Sequence, residues 1–476
     1  MVYKRFWEAY KPTYRAREME ILAGWIQAGE SGSILGLAGS GKSNLLGFLS
    51  HRPEVMVQYL RDSSLKLALA QVDLNNLPGD DLATFYRVVL RSLYEARVQL
   101  AAIEDSLPDT VETLYRKVEE KADPFLSQSA LREVLLLFRE ERAHLVLVLD
   151  PFDQFCRTAS TQILNNLRGL RDSFKTTLSY LVSLRQELAY VRDPVDLDEL
   201  YEVLDIHLCW LGPMEKDDAR WVISQVEEGA GTSFAEEHSE HLIELTGGYP
   251  SLLRAASMWL VNGSAAPDMD IWEEQLLAEP GIQNRLGDLW RGLTGEEEAA
   301  LYALQRALAI ESGKKRGESL GQIEKKHGDA LNRLQAKHLC WQTDTGWRFF
   351  SPLFARFVAE MEGVSAGRIW HDSETDRFFQ GETELTGLSE KDRRLLRHFL
   401  DHPVIAHTID DLVEAAWEEW AQHDDWKYDW MGAKEAVSQA IRHLREQIEL
   451  NPSRPRYIIT ERQVGYRFFP EGVPRG

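Results

Sequence analysis

The stretch GLAGSGKSN, residues 36–44, combines small residues and one lysine in a way that suits phosphate binding. It fits the pattern G-x-x-x-x-G-K-[ST], in which glycines let backbone N–H groups surround an anion. The Lys42 ammonium then reaches the terminal phosphates, and the Ser43 hydroxyl binds Mg²⁺. The residues predicted to hold the nucleotide are Gly36, Gly39, Ser40, Gly41, Lys42, Ser43 and Asn44. The alternative, a Gly/Ser loop with a chance lysine, is disfavoured because an apolar run precedes the loop and an apolar helix follows it.

A second candidate residue ends the apolar run His144–Asp150. Such a continuous run is typical of a buried parallel strand, whose last residue lies at the carboxyl edge of the sheet. Ligands of open α/β sheets bind at that edge, so Asp150 is predicted to face Lys42 and to bind Mg²⁺ directly or through water. Asp153 follows one short turn later. The other interpretation, in which Asp150 only caps a turn, is weakened by the phosphate loop upstream.

The framework that positions these residues is predicted from the spacing of apolar residues. Between about residues 15 and 210, apolar runs of strand length alternate with helical patterns. These runs are 67–73, 145–149, 178–184 and 203–208. Alternation of this kind predicts a doubly wound parallel sheet, with the phosphate loop and Asp150 at one edge.

The second half of the chain has a different pattern. Apolar residues three and four apart predict helices over 216–228 and 234–246. Pairs of short strands predict β-hairpins near 339–350 and 457–469. The polar, glycine-containing segment 363–385 is predicted to be a linker.

The composition argues against several classes of protein. The chain has 476 residues, of which 44% are hydrophobic and 27% charged, as in ordinary soluble proteins. Its net charge of −22 argues against nucleic-acid binding over the whole surface, so any DNA contact is local. Three widely spaced cysteines form no metal pattern and favour a reducing cytoplasm. The apolar runs are too short to span a membrane, and the first residues lack the apolar core of a secretory signal.

Residues 14–360 contain six motifs in the order in which a known protein family carries them. They are Ala16-Arg17-Glu18, the loop at 36–43, LVLVLDPFDQF at 145–155, SYLVSLR at 179–185, HLCWLGPMEKDDA at 207–219 and LTGGYPSLL at 245–253. This region resembles the STAND class of P-loop ATPases, which are relatives of the AAA proteins. The resemblance implies ATP and Mg²⁺ as ligands, Arg185 near the γ-phosphate and Pro250 against the adenine. It also implies that the hairpin at 339–350 belongs to a winged-helix lid.

One position departs from that class. Many of its members carry glutamate directly after the strand aspartate, to orient the attacking water, whereas this chain has Pro151. Because proline has no acid–base chemistry, either Asp153 takes that role or hydrolysis is slow and the nucleotide acts as a conformational latch. The predicted catalytic residues are Asp153, Lys42 and Arg185. Slow turnover suits a switch better than a motor, which disfavours helicase-like work.

A second likeness lies in AVSQAIRHLREQIELNPSRPRYIITERQVGYRF, residues 436–468. From 386 to 473 the chain resembles the effector domain of OmpR/PhoB-type response regulators. A polar stripe on its helix is predicted to enter the major groove of double-stranded DNA, with the wing tip near the minor groove. The predicted DNA-binding residues are Lys434, Ser438, Arg442, Arg445 and Arg462. Residues 433–476 hold eight Lys or Arg and five Asp or Glu, which favours DNA over a winged helix that contacts only protein.

Two features depart from that family's pattern. Gln463 replaces the usual wing glycine, and the loop after Trp417 is longer, reading EEWAQHDDWKYDW at 418–430. Its three tryptophans form either a private hydrophobic core or a surface for a protein partner, since the matching loop in the family contacts RNA polymerase. These are Trp420, Trp426 and Trp430. Residues 401–432 hold nine acids and one lysine, so this region also repels phosphate.

The predicted architecture is an α/β P-loop NTPase, a helical lid and two winged-helix domains. The expected boundaries are 1–210 for the NTPase, 211–288 for the lid, 289–362 for the first winged helix, 363–385 for the linker and 386–476 for the second winged helix. The predicted function is transcriptional regulation through DNA, in which ATP controls conformation or homo-oligomer formation. The alternative is a defence-type sensor or scaffold whose C-terminal winged helix recruits protein.

Overall fold

The chain folds into two compact units, Met1–Phe357 and Val358–Gly476. The computed structural model describes residues 7–417 and 430–472, except 63, 80, 122, 264–267, 311–313, 344–345, 363–366, 374, 382, 450–454 and 462–463. Among the described helices, none combines the length and the apolarity that crossing a membrane requires.

A five-stranded parallel sheet forms the centre of the first unit. Its strands are β1 (Gly32–Leu35), β2 (Lys66–Asp73), β3 (Ala143–Asp150), β4 (Leu178–Leu184) and β5 (Leu208–Trp210). Their order is β2-β3-β4-β1-β5, and every neighbouring pair is parallel. Strands β1, β3 and β4 are buried along their whole length, as expected for parallel strands with both faces covered. The order places β4 between the strand that precedes the loop and the strand that ends in Asp150.

Helices fill the connections between these strands and pack against the sheet. They are α1 (Ala16–Ala28), α2 (Lys42–His51), α3 (Pro53–Tyr59), α4 (Leu82–Glu95), α5 (Arg97–Ala101), α6 (Leu107–Glu119), α7 (Pro124–Glu140), α8 (Phe152–Thr158), α9 (Thr161–Ser173), α10 (Pro194–Leu197) and α11 (Glu199–Asp205). Asp81 caps α4 by accepting a hydrogen bond from the Thr84 N–H at 2.9 Å. Val89 of α4, Phe138 of α7 and Leu147 of β3 share one buried core. The βα alternation predicted for this region is confirmed.

The rest of the first unit is mainly helical. Its elements are α12 (Lys216–Ala230), α13 (Glu236–Thr246), α14 (Pro250–Asn262), α15 (Trp272–Ala278), α16 (Pro280–Trp290), α17 (Gly295–Ala309), α18 (Lys314–Ala336), β6 (Cys340–Thr343), β7 (Gly346–Phe349) and α19 (Pro352–Glu362), in which the boundary between the units falls. Strands β6 and β7 are antiparallel. The predicted helices and hairpin are therefore present, while their assignment to a lid and a winged helix stays a prediction.

In its described residues, the second unit combines two small sheets with three helices of its own. Its elements are β8 (Ile369–Asp372), β9 (Arg377–Gln380), β10 (Thr383–Glu384), α20 (Glu390–Asp401), β11 (Ala406–Thr408), α21 (Ile409–Ala416), α22 (Trp430–Ile448), β12 (Ile458–Glu461) and β13 (Gly465–Phe468). The sheets have the orders β10-β9-β8 and β11-β13-β12, and both are antiparallel. Leu395, Leu412, Ile441 and Phe468 pack together in the core.

Two predicted elements were wrong. The run 203–208 was expected to be a strand, but residues up to Asp205 belong to α11, because Leu200 and Leu204 face the core one helical turn apart. The segment 363–385 was expected to be a linker, but its residues 369–372, 377–380 and 383–384 form the sheet β10-β9-β8. Ile369 and Phe378 are buried there, while Trp370 and Arg377 beside them are exposed, as expected when side chains alternate between the faces of a sheet.

Candidate functional site

The loop after β1 has the backbone shape that phosphate binding requires. Gly39 and Gly41 have φ angles of 79° and 92°, a left-handed region that costs residues with a β-carbon about 1–2 kcal/mol. A β-carbon at position 36 would clash with the Ser40 hydroxyl. Helix α2 begins directly after the loop, at Lys42, and its N-terminus adds a partial positive charge. Gly36, Gly39 and Gly41 are thus required by the shape of the loop.

Lys42 lies half-buried in the loop, and its ammonium donates a hydrogen bond to the Gly36 carbonyl oxygen. Loss of surrounding water lowers the Lys42 pKa to about 8. Asp153 and Asp150 raise this pKa, while the Arg185 charge lowers it further. The predicted lysine therefore lies within electrostatic reach of all three predicted partners. A bound phosphate would supply further negative charge and favour the charged ammonium.

Asp150, Ser43 and Ser183 form a group of oxygen atoms beside Lys42. Asp150 ends β3 with only 8% of its surface exposed, and its carboxylate accepts a hydrogen bond from the Ser183 hydroxyl of β4. Burial raises the pKa of Asp150, while the Ser183 hydroxyl, the Lys42 charge and the nearby Ser43 hydroxyl oppose that rise.

This oxygen group fits the predicted Mg²⁺, which prefers oxygen ligands and is held by one or two carboxylates beside phosphates. Within the described residues, no group of three or more His, Cys, Asp or Glu side chains is arranged to hold a metal ion. Mg²⁺ at Ser43 and Asp150 would therefore need water and nucleotide oxygens as its other ligands. When bound, this ion would neutralise phosphate charge.

Asp153 and Arg185 meet at the carboxyl edge of the sheet. Asp153 lies in the first turn of α8, and its Oδ1 accepts a hydrogen bond from the Arg185 backbone N–H at 2.9 Å. The exposed side chain of Arg185 follows the last residue of β4. Pro151, the residue before α8, carries no group that transfers protons. The structure brings the predicted catalytic residues together, and their catalytic roles stay predictions.

Pro250 also lies at the loop, as its predicted contact with the nucleotide requires. It begins α14, and its Cγ lies 3.6 Å from the position that a β-carbon of Gly41 would occupy. Asn44 is exposed in the first turn of α2. Three residues that were not predicted from the sequence hydrogen-bond to loop carbonyls: Arg15, Tyr249 and Ser251. Only their positions in the sequence could have indicated them: Arg15 directly precedes the motif Ala16-Arg17-Glu18, and Tyr249 and Ser251 lie on either side of Pro250.

The second candidate site is helix α22 together with the hairpin β12-β13. Lys434 and Arg442 have exposed side chains, and the Arg442 Nε lies 3.3 Å from the Glu446 carboxylate. The Ser438 hydroxyl donates to the Lys434 carbonyl oxygen at 2.8 Å. Ser438 lies on the half-exposed side of the helix, 3.4 Å from the Tyr466 hydroxyl of β13.

Two predictions for this site fall outside the described residues. One is Arg462, which was expected at the wing tip. The other is the partner loop 418–430, of which residues 418–429 and the Trp430 side chain are not described. The proposed roles of these residues stay predictions.

Arg445 contacts the hairpin instead of projecting freely from the helix. Its guanidinium donates to the Ile458 carbonyl oxygen at 3.0 and 2.7 Å and to the Thr460 hydroxyl at 2.8 Å. The guanidinium carbon also lies 5.8 Å from the centre of the Tyr466 ring. A DNA contact by Arg445 would have to compete with these bonds. Helical spacing could not reveal them, because they depend on how the hairpin packs.

The arrangement of α20, α21, α22 and the hairpin is that of a winged helix, and comparison with known families agrees. Residues 382–468 match the family described as "Transcriptional regulatory protein, C terminal". The second unit thus contains a transcriptional-regulator domain of OmpR/PhoB type, which confirms that part of the sequence prediction.

Curated relatives of the chain are also transcriptional regulators. Over 85 residues the chain is 40% identical to a probable transcriptional regulatory protein of Picosynechococcus sp., covering 18% of this chain and 30% of the relative. Over 91 residues it is 41% identical to the alkaline phosphatase synthesis transcriptional regulatory protein SphR of Synechococcus elongatus, covering 19% and 32%. The chain therefore spans about a third of the length of these relatives.

Solved structures resemble the chain over a larger part of its length. The Walker-type ATPase paby2304 of Pyrococcus abyssi is 17% identical and covers 72% of this chain and 95% of its own, with a TM-score of 0.41. The ORC2 protein of Aeropyrum pernix, in its ADP form, is 14% identical and covers 70% and 87%, with a TM-score of 0.34. Because these scores are low, the P-loop interpretation depends on the loop, the strand order and Asp150.

Proposed function

We propose that this protein is a transcriptional regulator whose DNA-binding unit is controlled by ATP bound at the loop 36–43. One observation carries the proposal. A loop of phosphate-binding shape, with Asp150 close enough to act on the Lys42 charge, occurs in one chain with a transcriptional-regulator winged helix. In this proposal the first unit binds the nucleotide, and the second unit binds DNA and regulates transcription.

The proposed nucleotide site assigns a role to each residue around the loop. Lys42 binds the terminal phosphates, while Ser43 and Asp150 hold Mg²⁺. Arg185 lies near the γ-phosphate, and Pro250 packs on the adenine. ATP then acts as in a STAND-type switch, by changing the arrangement of residues 211–362 or by promoting a homo-oligomer.

In the proposed DNA complex, α22 enters the major groove. Lys434 and Arg442 have exposed basic side chains on that helix, and these side chains contact DNA phosphates or the edges of the nucleobases. Arg462 approaches the minor groove. Ser438, at the half-exposed side of the helix, contacts the backbone of the DNA.

A second candidate function is the recruitment of a protein partner by the same helix. The exposed face of α22 carries Glu435 and Glu446 as well as Lys434 and Arg442, so these four charges cancel. A neutral face attracts DNA phosphate less than a basic face does. This balance on the exposed face of α22 supports the second candidate, as do the acidic residues of 401–432.

Binding of ATP to the loop can be tested by thermal unfolding. ATP with Mg²⁺ at a hundred times its Kd should stabilise the protein by roughly 2.7 kcal/mol, because it binds only the folded form. Lys42→Ala should abolish this shift and leave the nucleotide-free protein folded. The control is Lys66→Ala, which removes an exposed lysine paired with Glu141 at 2.7 Å and should keep the shift. Equal shifts in wild type and Lys42→Ala would contradict the proposed site.

A further inference from the structure

Three consecutive carbonyl groups of the loop are held by hydrogen bonds from outside it. The Tyr249 hydroxyl donates to the Ala38 oxygen at 3.1 Å, and the Ser251 N–H donates to the Gly39 oxygen at 3.2 Å. The Arg15 guanidinium donates to the Ser40 oxygen at 2.9 Å. Two of the donors belong to the start of α14, and the third belongs to the segment before α1.

These bonds determine where the loop N–H groups point. In a trans peptide the C=O and the next residue's N–H point in opposite directions, so an outward carbonyl turns that N–H inward. The three peptides carry the N–H groups of Gly39, Ser40 and Gly41. The Ser40 N–H donates to the Leu37 carbonyl oxygen at 3.2 Å. In the described part of the chain, the Gly39 and Gly41 N–H groups have no hydrogen-bond acceptor, and an inward phosphate would satisfy them.

Arg15 links the loop to the start of the helical region as well. Its guanidinium also donates to the carbonyl oxygens of Gly212 at 2.9 Å and Pro213 at 3.2 Å. Its backbone N–H donates to the Asp218 carboxylate, in the first turn of α12, at 2.9 Å. Arg15 is only 2% exposed and has a φ of 55°, so its left-handed backbone is held by these surroundings.

We propose that Tyr249, Ser251 and Arg15 are positioning residues, which couple phosphate binding at the loop to docking of the helical region against it. Docking orients the Gly39 and Gly41 N–H groups before the phosphate arrives. By reciprocity, bound phosphate makes the docked helical region more stable. This inference rests on the proposed nucleotide site and adds a route by which occupancy of that site changes the helical region.

The decisive variant is Tyr249→Phe, which removes one hydroxyl and keeps the ring. Its matched control is Tyr180→Phe, since the buried Tyr180 hydroxyl donates at 2.8 Å to the Leu167 carbonyl oxygen, and neither residue belongs to the loop. In the full chain, Tyr249→Phe should weaken binding of Mg²⁺-ATP and of tripolyphosphate roughly threefold to tenfold by calorimetry. Tyr180→Phe should bind both probes as the wild type does. Equal affinities in the two variants overturn the inference, whereas a wild type that binds neither probe overturns the proposed nucleotide site instead.

Hydrogen exchange gives a second readout that loss of stability alone would not reproduce. ATP should slow amide exchange in residues 249–254 of the wild type, and Tyr249→Phe should reduce this ATP-dependent slowing, measured with each protein saturated. The control variant should retain it. If Tyr249→Phe does not fold, the wild type alone tests the proposed coupling. ATP that binds without slowing amide exchange in residues 249–254 would overturn it.

Discussion

At the scale of single residues, Asp153 is the residue on which we expect ATP hydrolysis at the loop site to depend. Pro151 leaves no carboxylate directly after Asp150, and Asp153 is the next acid along the chain, close enough to act on the Lys42 charge. We therefore expect slow turnover that depends on Asp153 as the proton acceptor. Asp153→Asn has nearly the same shape, so it should keep ATP affinity and lower the single-turnover rate about a hundredfold.

A second variant is Pro151→Glu, which keeps Asp153 and places a carboxylate at the position where many STAND-class ATPases carry glutamate. It should leave ATP affinity unchanged and raise the turnover rate. Fast hydrolysis by the wild type that survives Asp153→Asn would contradict this view of the site.

Three histidines of the second unit form a titratable group whose hydrogen bonds have a defined direction. His407 Nε2 lies 3.0 Å from the His402 carbonyl oxygen, which can only accept, so this nitrogen carries a hydrogen. Neutral His407 therefore accepts at Nδ1 from His398 Nε2, 3.1 Å away. Burial lowers the His398 pKa below the usual 6.5, and the charges of His407 and His402 lower it further. Asp411 and Asp401 oppose this shift.

Acid should consequently destabilise the second unit. A histidine whose pKa is lower in the folded state binds fewer protons there, so stability falls as pH drops through the unfolded value of about 6.5. We expect faster hydrogen exchange in residues 395–408 at about pH 5.5 than at about pH 7.5, after correction for the intrinsic rates. His398→Gln keeps an N–H donor but cannot titrate, so it should reduce this difference. The same pH dependence in both proteins would overturn the assignment.

At the scale of elements, Glu449 connects the end of α22 to the start of the hairpin. Its buried carboxylate accepts hydrogen bonds from the N–H groups of Arg456 at 2.6 Å, Tyr457 at 2.7 Å and Ile458 at 2.9 Å. Glu449→Gln replaces one of the two acceptor oxygens with an NH₂ group, which cannot accept these bonds. We expect the variant to destabilise the second unit by about 1–3 kcal/mol, as measured by urea unfolding of the full chain.

A matched control for this prediction lies on the same helix. Glu446 is exposed and pairs with Arg442, so Glu446→Gln should change stability by less than about 0.5 kcal/mol. Equal effects of the two substitutions would show that Glu449 does not act through its backbone bonds.

Elements with long apolar runs were predictable from the sequence, and short elements were not. The eight residues of β3 are all buried, so their pattern has one interpretation and places Asp150 beside the loop. Strands β8 and β9 have four residues each, of which only two are apolar, and so they resembled a linker. Their pairing depends on contacts between strands that no local pattern records.

The same limit applies to the sites. Lys42, Ser43 and Asp150 follow from a motif and a strand end, so the sequence was sufficient to predict that they meet. The position of Arg445 on the helix predicted a DNA contact, yet its guanidinium donates hydrogen bonds to β12. Arg15 lacked any motif of its own, and its role depends on carbonyl groups almost two hundred positions away in the chain.

At the scale of the whole molecule, the proposed DNA complex places an acidic chain on DNA through a small basic area. The net charge of −22 repels phosphate, while residues 433–476 carry eight basic and five acidic residues. Binding should therefore be sensitive to salt and to changes of single charges. Four phosphate contacts give a slope of about −3 to −4 in a plot of log K against log salt.

Arg442→Ala tests the contribution of a single positive charge to DNA binding, because the Arg442 side chain is 80% exposed and its removal disturbs little packing. The variant should make the salt slope shallower by about one if Arg442 contacts phosphate, or reduce the binding free energy by about 1–3 kcal/mol if Arg442 reads a base.

In the full chain, ATP should change DNA affinity in wild type but not in Lys42→Ala, because a ligand shifts an equilibrium only through differential binding to its states. Fluorescence anisotropy at several salt concentrations, with and without Mg²⁺-ATP, measures both effects. Absence of DNA binding even at low salt would leave protein recruitment as the function of α22.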